Sequence, residues 1–193
     1  MEPIYDRRVA RTMERLGIAF TELLMEKNFD LITVLDLCER AGVRRATFYT
    51  HFKDKMDFTD FTVKAVYRGL GERVNSTLSA VSVTEYIMQF VRVGTELLIS
   101  RRAVFLNIAS STVFPVICSM IAETAGEALK ANIEAAHSRG LSIDIPADVG
   151  LTADFINAGI AHAVLNRLKD QTEFDASLYG ELEKILKKLF ETN

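Results

Sequence analysis

The sequence predicts an all-α fold: an N-terminal three-helix helix-turn-helix unit followed by a larger helical unit. Three observations predict it. Apolar residues recur along much of the chain at alternating steps of three and four, the period of a helix buried on one face. Only Pro3, Pro115 and Pro146 interrupt 193 residues, so helical runs can be long. Near Gly42, a short turn containing glycine separates two short helical stretches, as in a helix-turn-helix.

Each element follows in order. Asp6 to Lys27 reads as one amphipathic helix, because Val9, Met13, Leu16, Phe20 and Leu23 share a face. Asn28 and Phe29 interrupt it. Thr33 is an N-cap residue with Asp36 three positions on, so a second short helix starts there. It turns Val34, Leu37, Cys38 and Ala41 inward and stops at Gly42, the residue that most easily takes a left-handed backbone. A third short helix covers about Arg44 to His51. A fourth begins after Lys53 and Asp54, with Phe58, Phe61 and Ala65 at inward spacing.

Further helices are expected at about Thr84 to Ser100, Arg102 to Ser110, Thr112 to Ser138, Ala147 to Lys169 and Asp175 to Glu191, with the clearest break at Gly140 to Pro146. The expected division is residues 1–68 and 69–193, the helix from about residue 54 running on as connector.

Composition excludes several classes. With 49% apolar and 25% charged residues the chain has an ordinary globular balance. Two distant cysteines, Cys38 and Cys118, and an opening without a basic then apolar leader suggest a cytoplasmic protein with reduced thiols. Ala103 to Ala122 carries no charge, and about 20 apolar residues can span a bilayer. Asn107, Ser110, Ser111, Thr112, Pro115 and Ser119 interrupt it, so a buried or cavity-lining helix pair is expected, and no membrane span. Three histidines and two cysteines lie at no metal-ligand spacing, and no phosphate loop or nucleophile motif occurs. The expectation is no enzyme, no metal and no cofactor.

Charge is unevenly placed. Residues 1–68 hold twelve Lys and Arg against eleven acids, whereas residues 69–193 hold eleven against fifteen. The stretch CERAGVRRATFYTHFKDK, Cys38 to Lys55, has five basic side chains against two acids. Such a local patch is the footprint of nucleic-acid binding even in an acidic chain. On a helical wheel Phe48 and Phe52 share an inward face. Small Ala46, Thr47 and Thr50 lie opposite, flanked by Tyr49 and His51, with Arg44 and Arg45 at the start. Small side chains permit close approach to base edges, Thr can touch a thymine methyl, and Arg grips guanine or phosphate with a two-pronged fork. Tyr49, His51, Lys53 and Lys55 suit phosphate oxygens.

Over about residues 7 to 67 the chain resembles the TetR/AcrR-type transcriptional regulators. The resemblance rests on Ile32-Thr33-Val34, Ala41-Gly42-Val43, Thr47-Phe48-Tyr49-Thr50-His51-Phe52 and Lys53-Asp54-Lys55. It implies an N-terminal unit that binds double-stranded operator DNA, and a helical C-terminal domain that binds a small-molecule effector and forms a homodimer. It further implies that Thr33 and Lys55 touch phosphates, that Arg45, Thr47 and Tyr49 face the groove, and that His51 meets the backbone. Arg44 departs from the family pattern, which often has a small capping residue such as Ser there. That exchanges about 1 kcal/mol of capping for a phosphate or base contact.

In the C-terminal part, Leu178, Leu182, Ile185 and Leu189 form a stripe reinforced by Leu186 and Phe190, read either as core or as interface. Gly150, Ala153, Asn157, Ala158 and Ala161 permit close helix packing. The family makes its dimer from its last two long helices, so a twofold homodimer on a palindromic site is expected. Candidate effector contacts are Asn107, Ser111, Thr112, Cys118, His137, Asn157 and His162. The combined expectation is a ligand-responsive regulator, a repressor. The competing reading is a helical small-molecule-binding protein whose N-terminal unit binds a protein partner and not DNA.

Overall fold

The computed structural model describes residues 4–77, 83–138 and 176–190, together with positions 151, 155, 158, 159, 163 and 166. Among these residues every regular element is helical. In chain order they are α1 (Ile4–Glu26), a 3-10 turn (Phe29–Leu31), α2 (Val34–Ala41), α3 (Arg45–His51), α4 (Lys55–Thr77), α5 (Val83–Ser100), α6 (Arg102–Ala109), α7 (Phe114–Ser138) and α8 (Ala176–Phe190). The six described positions from Leu151 to Asn166 are also helical.

The chain forms two compact units. The first comprises residues 1–62 with 101–117, and the second residues 63–100 with 118–193. The boundary expected at residue 68 falls inside α4, and α6 joins the first unit, packing on α1. The reason is polar as well as apolar. Asn107 donates to the Leu24 carbonyl at 2.8 Å, Arg101 to Thr21 Oγ1 at 3.3 Å, and Asn28 to Ser110 Oγ at 2.9 Å. The Asp30 carboxylate accepts both the Thr112 amide (2.8 Å) and its hydroxyl (3.1 Å). These bonds satisfy groups freed where α1 ends and where α6 gives way to α7.

The core of the first unit is aromatic. Phe58 packs edge-on against Phe20 (5.4 Å between centroids) and Phe52 (5.0 Å), and lies 5.8 Å from Phe48. Leu16, Phe29, Ile32, Leu37, Phe48 and Phe58 are all at most 1% exposed. Helices α1, α3 and α4 therefore meet on the same rings. Outside this core, Arg40 clamps α2 to α1 through a two-pronged pair with Glu26 (2.8 and 2.7 Å).

In the second unit, α8 packs on α5: Leu186 is buried with Ile87, Met88 and Val91, flanked by Tyr179 and Leu182. Leu70, Val74 and Val93 form a second cluster with Phe90 and Leu97. The stripe on α8 thus divides, with Leu182 and Leu186 turned to α5 and Ile185 left 54% exposed. The uncharged run Ala103 to Ala122 is broken into α6 and α7, bent by 119°. Among the described residues no single helix is long and apolar enough to cross a membrane.

Candidate nucleic-acid interface

Two caps fix the approach to the third helix. Thr33, extended at φ −101° and ψ 160°, accepts the Asp36 amide at 3.1 Å, and Asp36 accepts the Thr33 amide at 2.9 Å. This is a capping box, built with Asp instead of the usual Glu or Gln. Lys27 donates to the same carboxylate at 2.9 Å. That ion pair, followed by the two Thr33 bonds, holds the Asp36 pKa down at about 2. At the other end Gly42 sits at φ 61° and ψ 39°, its amide donating to the Cys38 and Glu39 carbonyls. The Arg15 guanidinium then closes the turn from α1, donating to Gly42 O at 3.2 Å.

Helix α3 follows. Arg44 occupies its N-cap in extended conformation (φ −69°, ψ 140°) without a side-chain capping bond, while its carbonyl accepts the Thr47 and Phe48 amides. Phe48 is fully buried and Phe52 nearly so. With that face anchored, Arg45, Ala46, Tyr49 and Thr50 are left exposed, Tyr49 to 49%. Thr47 and His51 are half-buried. The Arg45 guanidinium stands 5.9 Å from the Tyr49 ring centroid, and Tyr49 meets Phe48 edge-on at 5.5 Å. These contacts restrain two long side chains on the outer face before any ligand arrives. The Thr50 hydroxyl donates to Ala46 O at 2.9 Å, leaving its methyl and oxygen lone pairs outward.

Lys53 is exposed beside the start of α4, where Asp54 accepts the Asp57 amide (2.9 Å) and Asp57 the Lys53 amide (2.8 Å). Lys55 is employed internally. Its ammonium donates to Phe29 O (2.8 Å) and Ile32 O (2.7 Å) and lies 4.2 Å from the Phe29 ring centroid. Burial holds its pKa below the ordinary lysine value, against the pull of Asp30 and Asp36. An ammonium has three donors, so one remains for a phosphate. Thr33 is likewise a cap first, its hydroxyl hydrogen still available.

α3 and its flanks therefore carry Arg44, Arg45, Thr47, Tyr49, His51 and Lys53, while Thr33 and Lys55 brace the elements around them. Sequence reading missed Arg15, which reaches Gly42 across 27 positions and carries no local signal. Of the effector candidates, Asn107, Ser111 and Thr112 lie in the first unit, bonded to Leu24 O, Ile108 O and Asp30 respectively. Cys118 is half-buried in α7. Asn157, His162 and the side chain of His137 lie outside the described residues. A surface cleft of about 440 Å³ beside α5 and α8 is lined by Arg92, Glu96, Tyr179, Gly180 and Glu183, none of them among those candidates.

Residues 19–59 match the family model described as bacterial regulatory proteins, tetR family. The HTH-type transcriptional regulator YxbF of Bacillus subtilis is 32% identical over 96 residues, 49% of this chain. The chain spans 24% of that relative's length. A TetR-family transcriptional regulator from Syntrophomonas wolfei superposes with a TM-score of 0.68 at 15% identity, over 94% of this chain and 95% of the other. The fatty acid degradation regulator FadR from Bacillus halodurans gives 0.64 at 16% identity (90% and 93%). FadR from Bacillus subtilis, in complex with stearoyl-CoA, gives 0.61 at 18% identity (90% and 96%). Over residues 19–59 the helix-turn-helix head matches the tetR family of bacterial regulatory proteins, and the fold of the chain is similar to that of these solved regulators.

Proposed function

We propose that the chain is a ligand-responsive transcriptional regulator, a repressor that binds a palindromic operator as a homodimer and is modulated by a small, mostly apolar molecule in its second unit. The observation that carries the DNA reading is α3. Its phenylalanines are buried, and Arg45, Ala46, Tyr49 and Thr50 remain on the open face. That pairing of small residues with a restrained Arg and Tyr suits a helix entering the major groove. Arg44, His51 and Lys53 would hold phosphates, which fix register.

Exposed Leu151 (67%) and Phe155 (72%), four apart on a helix, support a homodimer, as does exposed Ile185 on α8. Large apolar side chains on one face mark an interaction surface, and a twofold partner would double the DNA contacts. The fatty-acid names of two structural neighbours support an apolar effector. Ligand would act by favouring one arrangement of the dimer over another.

The test is selection of bound fragments from genomic DNA, followed by affinity measurement from about 50 to 200 mM salt. Contact with six or more phosphates predicts a fall of about 10³-fold or more. Salt-insensitive binding, or no selected fragment, would favour a protein partner for the head. Sedimentation showing a monomer at every concentration would remove the dimer.

A further inference from the structure

The charges of α1 are segregated along its length. In its C-terminal half Glu22 and Glu26 both pair with Arg40 of α2, at 3.5 and 2.7 Å. The N-terminal half carries Arg7, Arg8, Arg11 and Arg15, all exposed. Among the described residues Arg8 and Arg11 form no ion pair, and the exposed acids Glu14 and Glu39 form none with them. Like charges one turn apart on a helix repel, so Arg7 with Arg11 and Arg11 with Arg15 weaken α1 by themselves. The fold makes no use of the Arg8 and Arg11 guanidinium groups.

The contacts of α1 fix where this row lies. Its C-terminal part is held by α6, through Asn107 on Leu24 O and Arg101 on Thr21 Oγ1. Towards the N-terminus come the Arg40 pairs, and then Arg15, which donates to Gly42 O at 3.2 Å. On a wheel of about 100° per residue Arg8 and Arg15 project within about 20° of each other, and Arg11 lies about 40–60° round from them. The row therefore runs on past the turn at Gly42, away from the end held by α6. Just beyond that turn stand Arg44 and Arg45, both exposed, at the start of α3. The bond from Arg15 to Gly42 joins the two groups of arginines into one basic strip.

Such a strip is complementary to phosphates, which arginine grips with its two-pronged fork. Its continuity with Arg44 and Arg45 selects the nucleic-acid backbone as the occupant. Arg8 to Arg15 covers about 10 Å of helix, the rise of about three base pairs. Contacts of this kind add affinity and fix register without reading sequence.

We propose that Arg8 and Arg11, linked to the turn by Arg15, form a second DNA contact surface that holds phosphates flanking the base pairs met by α3. The proposal rests on the DNA reading given above and extends its footprint beyond α3 and its flanks.

The experiment uses full-length wild type, Arg8→Gln/Arg11→Gln and Arg8→Lys/Arg11→Lys, with a genomic fragment selected by wild type. Affinity is measured against salt on two duplexes, the minimal selected core and the same core extended on each side by arbitrary sequence. In wild type the extension should raise affinity about tenfold whatever its sequence. The Gln variant should lose that gain, and its slope of log K against log salt should be shallower by about two for each bound head, at about 0.9 per phosphate. The Lys variant should keep both, because an ammonium still binds phosphate as a point charge. An extension gain that survives in the Gln variant would overturn the proposal and leave the α3 reading intact. An unchanged salt slope in the Gln variant would do the same, as would loss of the gain in the Lys variant. Failure of wild type to retain any fragment would remove both readings together.

Discussion

Substituting alanine for Gly42 strikes the turn on which the whole head depends. The residue sits at φ 61°, where an L side chain costs about 1–2 kcal/mol. A Cβ there would also lie 2.5 Å from Arg15 Nη2, so the guanidinium must move and its 3.2 Å bond to Gly42 O is weakened. An exposed bond of this kind contributes about 0.5–1 kcal/mol. Gly42→Ala should therefore destabilise by about 1.5–3 kcal/mol. Gly17→Ala is the control with opposite sign. It lies inside α1 with nothing within 4 Å of an added Cβ, and should stabilise by about 0.5–1 kcal/mol. Urea unfolding at 25 °C measures both, the midpoint moving in opposite directions at similar slope. A Gly42→Ala protein as stable as wild type, or a destabilised Gly17→Ala, would refute the reasoning.

Three further outcomes are expected. Arg44→Ser supplies the missing N-cap of α3 and should stabilise by about 1 kcal/mol in urea while weakening DNA binding; loss of stability would mean that Arg44 supports the fold by packing. Asp30→Ala removes the acceptor of two bonds from Thr112, with an expected loss of about 1–2 kcal/mol and faster hydrogen exchange at the Thr112 amide; unchanged exchange would count against that anchor. Because the Asp36 pKa falls from 3.8 to about 2 on folding, its contribution is present above pH 4 and lost as pH drops toward 2. Asp36→Asn should flatten that acid limb of the stability profile, and an unaltered limb would assign it elsewhere.

How far the sequence was legible depended on the range of the interactions. Local signals were read well. The Thr33 cap with Asp36, the Gly42 stop and the inward Phe48 and Phe52 all depend on neighbours within about one turn, and the structure realises each. Periodicity also located α5, α6 and α8 to within a residue or two. It tells which face of a helix is buried, however, and not which element covers it. That is why the attachment of α6 to the head was invisible: Asn107 meets Leu24 and Thr112 meets Asp30 across 83 and 82 positions. Polar residues in the uncharged run looked like cavity contacts, since isolated Asn and Thr among apolar neighbours suit either use. Lys55 shows the same limit. A lysine beside a basic patch reads as a phosphate contact, while only the fold brings the Phe29 and Ile32 carbonyls within reach of its ammonium.

The central claim is that the open face of α3 reads DNA. Retardation of selected genomic fragments by Arg45→Ala and Tyr49→Ala, with sedimentation of the same samples, tests it most directly. The expected result is loss of retardation by both variants, with the assembly state of wild type retained. Fragment affinity unchanged in both would contradict the account.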